Sequence, residues 1–198
     1  MISRTSHAAS SEKLRVILQH AARLIYLKGF DGTSMQDIAE ACAMTKAGLY
    51  HHIATKEAML LAIMHYGMDL FEERVLAPVQ DIADPLARLK ATLANNVRLV
   101  THDSTKEVTI ILHEHSTLTG EAKRAINARK KQYVQFLERA FEEAIANGQI
   151  RKVDPTLASF SFLGTVLWTY KWYRSDGALR PQQLADGIGD LFFHGLIA

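Results

Sequence analysis

The sequence is poor in the residues that staple or break a chain. One cysteine, Cys42, among 198 residues excludes an intramolecular disulfide framework and suits a reducing cytoplasm. Proline occurs four times and glycine eleven, and the prolines fall between candidate helices rather than inside them. No run approaches the ~20 apolar residues of a membrane span. The opening stretch MISRTSHAASSEK has no apolar core and does not read as a secretory signal. Neither sign of charge dominates, since the net charge is +2. With 48% hydrophobic residues, the chain has the means to bury a core, which argues against disorder.

What is present is helical periodicity with an uneven charge. Residues 1–56 hold seven Lys or Arg against four Asp or Glu, whereas the remainder holds sixteen against seventeen. A modestly basic end on a near-neutral body is compatible with a polyanionic partner, and equally with chance scatter of a few charges. Leu14, Ile17, Leu18, Ala21, Ala22 and Ile25 recur at spacings of three and four, predicting a first helix capped by Ser10 or Ser11 and stopped by Gly29. Thr33 or Ser34, Thr45, Thr55, Asp84 and Asp154 each precede a helical pattern in N-cap position, the last two followed by Pro. The reading is all-α, with nine helices and no convincing strand.

The stretch DIAEACAMTKAGLYHHI, residues 37–53, breaks a helix after two turns and begins another that is poorly apolar. Two short helices behind a longer first one form a helix-turn-helix, and the break gives the second an open face. Leu49 and Ile53 lie on one side and pack inward. Ala47 and His51 lie roughly opposite, flanked by Gly48 and Tyr50. Thr45, Lys46 and Tyr50 suit a phosphate backbone, Gly48 permits close approach, and Thr33, Ser34 and Lys56 sit at two further helix starts. Thr45, Lys46 and His51 are candidate base readers, and the Ala47 methyl matches a thymine methyl.

The segment GTSMQDIAEACAMTKAGLYHHIATKEAML resembles the N-terminal signature of the TetR-family transcriptional repressors. The likeness runs from Gly29-Phe30 through the TSMQDIA helix and the TKAGLYHH recognition helix to the Lys56-Glu57 opening of helix four. It implies a helix-turn-helix DNA-binding domain at 1–56 and a ligand-binding and dimerisation domain at 57–198. It further implies a homodimer on a palindromic double-stranded operator, released by a small effector. DNA contacts are carried to Thr33, Ser34, Thr45, Lys46, Ala47, Gly48, Tyr50, His51 and Lys56. Three positions depart from the pattern. Ala43 stands where the turn usually has Gly, Ile53 replaces an aromatic, and Ala54 replaces a common Lys. A positive φ at Ala43 would cost about 1 kcal/mol.

The second unusual stretch is LGTVLWTYKWYRSDG, residues 163–177. Trp168 and Trp172 are four apart beside Lys171 and Arg174. They read either as core and dimer packing or as the aromatic wall of a ligand site. The stretch is similar to TetR-family regulators that answer to acyl-CoA thioesters, which need an apolar tunnel with cations at its mouth. Under that reading Arg98, Lys171 and Arg174 supply charge, while Phe71, Ile111, His115, Trp168 and Trp172 line the site. An efflux regulator answering to an aromatic or cationic drug is the alternative. His113 and His115 are two apart, so on a helix they point about 200° away from each other and do not share a metal.

Small residues on the last two helices, among them Ala158, Gly164, Ala185 and Gly189, predict a homodimer interface built from that hairpin. No convergent acid, base or nucleophile set points to an enzyme, and no residue pattern calls for a cofactor. A helical interaction module without DNA binding is the competing class, but it would not need polar helix starts on an open face.

Overall fold

In a computed structural model the described residues are 2–101, 106–114 and 117–194, with the backbone alone described at 2–11 and 113. Ten α-helices follow in order: α1 (Ile2–Lys28), α2 (Met35–Ala41), α3 (Lys46–Tyr50), α4 (Lys56–Phe71), α5 (Pro85–Thr101), α6 (Lys106–His113), α7 (Gly120–Ala146), α8 (Pro155–Leu167), α9 (Thr169–Trp172) and α10 (Pro181–His194). The sequence expectation of nine is met among the described residues if α8 and α9 count as one helix broken at Trp168. The capping expectations hold. Backbone N–H groups of Asp37, Gly48, Ala58, Ala87 and Leu157 donate to the side chains of Ser34, Thr45, Thr55, Asp84 and Asp154. The start of α1 does not follow the expectation at Ser10 or Ser11. The helix runs back to Ile2 because residues 2–11 contain neither Gly nor Pro to stop it.

The chain packs as two compact units. One comprises Met1–Asp69 and Ser104–Arg124; the other comprises Leu70–Asp103 and Ala125–Ala198. The sequence division at residue 56 falls before α4, whereas the packing division places most of α4, together with α6, with α1–α3.

In the first unit, Ile17, Ala21, Ala22, Ile25, Ile38, Leu49, Met59 and Ile63 are all at most 1% exposed and form the core. A Cβ at Gly67 of α4 would lie 2.8 Å from the Glu107 carbonyl oxygen of α6, so only glycine allows the two backbones this close. Beyond His113, Glu114 accepts the Phe30 amide hydrogen at 3.3 Å, at the turn between α1 and α2. In the second unit α5 packs on α8 and α10. Phe141, Phe162, Phe192 and Phe193 stack edge-on around that contact. The helical path beyond Phe71 loosens into a π-turn at Glu72–Leu76 and a 3₁₀ turn at Ala77–Val79 that carries Pro78. Arg129 of α7 holds Glu72 at 2.8 Å.

Ala43 has φ +51°, the left-handed value at which a Cβ is strained. Its side chain is exposed, so no buried packing offsets that strain. Ala43→Gly should therefore stabilise the protein by about 0.5–1 kcal/mol, the relieved strain less the extra freedom of the unfolded chain, as read by chemical denaturation.

Candidate nucleic-acid interface and effector core

The turn between α2 and α3 closes through Cys42, Ala43 and Met44, whose amides donate to carbonyls of Ile38, Ala39 and Glu40. Thr45 then enters in extended conformation (φ −74°, ψ 152°) and caps α3 through Gly48 N–H at 3.0 Å. This fixes how α3 is held. Leu49 is fully buried and Ile53 nearly so, while Thr45, Lys46, Ala47, Tyr50 and His51 are exposed and Gly48 is half-buried. The five exposed residues and the glycine therefore share one open surface, as the helical phase predicts.

The residues at the neighbouring helix starts divide. Ser34 is exposed and sits in a capping box with Asp37, whose carboxyl is held well below the usual carboxylate range by the Ser34 hydroxyl first and Lys28 next. Lys28 pairs with Asp37 at 3.0 Å. Lys56 lies with its ammonium 4.2 Å from the Phe30 ring centroid, a cation–π contact that parks a positive charge beside the open surface. Thr33 is turned inward. It is 1% exposed, and its hydroxyl donates to the Gly29 carbonyl at 2.9 Å. Its side chain thus braces the α1–α2 turn and offers nothing to a phosphate in this conformation, a correction to the sequence expectation.

The residues expected around an effector scatter. Phe71 is buried and meets Tyr133 of α7 edge-on, ring centroids 4.4 Å apart. Ile111 is buried in the other packing unit. Trp168 and Trp172 are 63% and 50% exposed, and Lys171 is exposed. Arg174 is paired with Asp176 at 2.9 Å, and Arg98 reaches Gln182 at 2.6 Å. His115 lies outside the described residues.

The second unit also holds polar residues that sequence reasoning passed over. Thr92 and Asn96 of α5 are at most 1% exposed, and Tyr133 is 8% exposed. Asn96 Nδ2 donates to the Thr92 carbonyl at 3.0 Å and to Tyr133 Oη at 2.6 Å. Burial raises the Tyr133 phenol well above its ordinary pKa, so it stays neutral. The signal was available: Leu89, Thr92, Leu93, Asn96 and Val97 keep the core phase of α5, and two of the five are polar. A separate cavity of about 330 Å³ opens between α5 and α10, with Leu93, Ala94 and Phe193 as floor and Lys90, Asp186 and Asp190 at the rim. Phe71, Arg98, Ile111, Trp168, Lys171, Trp172 and Arg174 do not line it, whereas Leu93, a further apolar lining candidate from the sequence, does.

Half-buried Lys130, one turn before Tyr133, has its ammonium pushed down to about 8 by desolvation. The folded state thus binds this proton less tightly than the unfolded chain, where lysine titrates near ~10.4. Stability should therefore rise as pH climbs through about 8 toward that value. Lys130→Met should flatten the rise, as checked by denaturant midpoints at several alkaline pH values.

The described residues are helical with an exposed recognition helix, the arrangement of a helix-turn-helix DNA-binding regulator. The profile "Bacterial regulatory proteins, tetR family" matches residues 17–63, and "Tetracyclin repressor-like, C-terminal domain" matches residues 83–196. The chain belongs to the TetR family of bacterial transcriptional regulators and has the makeup of its repressors. It is 61% identical to AibR as seen in complex with isovaleryl coenzyme A and operator DNA, over 90% of this chain and 97% of that one, with a TM-score of 0.87. It is also 26% identical over 170 residues to the transcriptional repressor KstR2 of Mycobacterium tuberculosis, covering 85% of this chain and 84% of that one. The fatty acid metabolism regulator of Bacillus subtilis is 23% identical over 187 residues, covering 93% and 95%. Among the described residues no helix is long and apolar enough to cross a membrane.

Proposed function

We propose that this regulator, acting in the cytoplasm, holds a palindromic operator as a homodimer and releases it when a short branched acyl-CoA enters the C-terminal unit. The observation that carries the effector class is the 61% identity, across 90% of this chain, to a protein solved with isovaleryl coenzyme A and operator DNA.

On the DNA side, Thr45, Lys46, Ala47, Gly48, Tyr50 and His51 enter the major groove while Ser34 and Lys56 hold the flanking phosphates. The exposure of Ser34, Thr45, Lys46, Ala47, Tyr50 and His51, with Gly48 and Lys56 half-buried, supports this assignment. Dimerisation runs through α8 and α10. The support is an unpartnered apolar face on which Leu157 is 63%, Phe160 57% and Leu191 81% exposed. Trp168 fits the same face better than an effector wall. On the effector side, Phe71 lines the acyl end, and Arg98, Lys171 and Arg174 remain candidates for the CoA phosphates. Release follows from α4. Lys56 opens this helix and Phe71 ends it, so the DNA side and the effector side share one continuous helix.

The test is an anisotropy titration of DNA from the protein's own upstream region. Isovaleryl-CoA at saturating concentration should weaken binding at least ~10-fold, the scale of ordinary allosteric coupling, whereas free isovalerate and free CoA should not. Release by the free acid alone, or by none of the three, would overturn the acyl-CoA assignment.

A further inference from the structure

The second unit keeps a hydrogen-bond acceptor in its core with no partner, beside a buried phenol that accepts from the same side chain. Asn96 is anchored first. Its Nδ2 gives one hydrogen to the Thr92 carbonyl at 3.0 Å and the other to Tyr133 Oη at 2.6 Å. The Thr92 carbonyl accepts only, so the amide orientation is set: nitrogen toward the carbonyl, oxygen away. Asn96 Oδ1 is then left buried with no hydrogen-bond partner. Tyr133 Oη receives a hydrogen from Asn96, so its own hydrogen must point elsewhere. Around it stand Phe71, edge-on at 4.4 Å between ring centroids, and Phe136 at 6.4 Å, neither of which is an acceptor of comparable strength. Leaving such groups unsatisfied costs roughly 1–3 kcal/mol each. Leucine and phenylalanine would fill the same volume at no such cost.

Resting on the acyl-CoA reading, we infer that Asn96 and Tyr133 are the specificity-determining pair that reads the thioester end of the effector. The Tyr133 hydroxyl donates to the thioester carbonyl oxygen, and Asn96 Oδ1 accepts an N–H from the pantetheine arm. Asn96 also holds the hydroxyl in its donating direction. A carbonyl followed by an amide N–H complements this donor and acceptor. A carboxylate does not, because it brings charge toward the lone pairs of Asn96 Oδ1. Phe71 places the aliphatic acyl group against its ring, at the end of α4. The pair is closed over in the structure, and binding opens it, in keeping with a pocket that exists in full only when occupied. The cavity between α5 and α10 is a different place, lined from the Lys90–Ala94 face of α5.

The experiment compares isovaleryl-CoA with its thioether counterpart, S-(3-methylbutyl)-CoA, which lacks only the carbonyl oxygen. Calorimetric titration is carried out on the full chain, wild type and Tyr133→Phe. The wild type should prefer the thioester by about 10- to 100-fold, the discrimination of a buried site built for a hydrogen bond. In Tyr133→Phe that preference should collapse to near unity. The ratio is internal to each protein, so a general loss of packing lowers both affinities and leaves it standing. Asn96→Leu, which keeps the volume, provides a second variant and should also shrink the ratio because the hydroxyl loses its holder. A wild type that binds both ligands equally, or a Tyr133→Phe protein that keeps the full preference, overturns the inference and spares the acyl-CoA reading. A wild type that binds neither ligand overturns both.

Discussion

Lys46→Glu should lower operator affinity by at least ~100-fold at moderate salt. Lys46 is exposed at the start of α3, beside Thr45 and one turn before Tyr50. In a dimer the substitution acts twice. Each copy loses a counterion-releasing contact and places a carboxylate against phosphate. The salt dependence gives the sharper reading. Each contact neutralised contributes a slope of about 0.9 in log–log form, so Lys46→Ala should reduce the slope by about two units per dimer. Anisotropy titrations between 50 and 200 mM salt, roughly the range over which counterion release is strong, measure both quantities. A slope identical to wild type would move the phosphate contact off α3. Tyr50→Phe should have a smaller effect, since it removes one neutral hydrogen bond and leaves the charge.

Leu191→Arg should turn the dimer into a monomer and, with it, reduce operator affinity by more than ~100-fold. Leu191 is 81% exposed, the most exposed of the large apolar side chains in the described chain. Within one copy it packs against almost nothing, so the change spares the monomer core formed by Leu184, Ala185, Ile188 and Phe193 of the same helix. If the proposed α8 and α10 face forms the dimer, the substitution places two guanidinium groups in an apolar interface, which is strongly unfavourable. Sedimentation equilibrium separates the two states, and thermal unfolding of the monomer checks that the fold is intact. A stable Leu191→Arg dimer would place the interface elsewhere, and the exposed Leu157 and Phe160 would then need another partner.

The helix-turn-helix was legible because its residues answer local rules. Ser34, Thr45 and Thr55 cap where short polar side chains precede helical patterns, and Leu49 and Ile53 pack inward by phase alone. Even the strain at Ala43 was conditional only on the sign of φ. Thr33 was not legible, because Thr33 and Ser34 are both good caps. Which one turns inward depends on the Gly29 carbonyl, supplied by the left-handed stop of α1 at φ +75°. The break at Trp168 has no Pro or Gly to announce it. The effector core was hidden for another reason. Trp, Arg and Lys drew attention at residues 168–174 by chemical character, whereas Asn96 and Tyr133 are ordinary residues whose meaning comes from being buried together, 37 positions apart. Periodicity put Asn96 on the inner face of α5, but only the three-dimensional pairing shows an acceptor left over beside a buried phenol.

The turn at Phe30 joins α1 to α2 of the helix-turn-helix. Its amide hydrogen is held by a carboxylate eighty-four residues downstream, at the tail of α6. Glu114→Ala should therefore leave this elbow with one bond fewer, and its backbone amides should exchange with solvent faster than in the wild type.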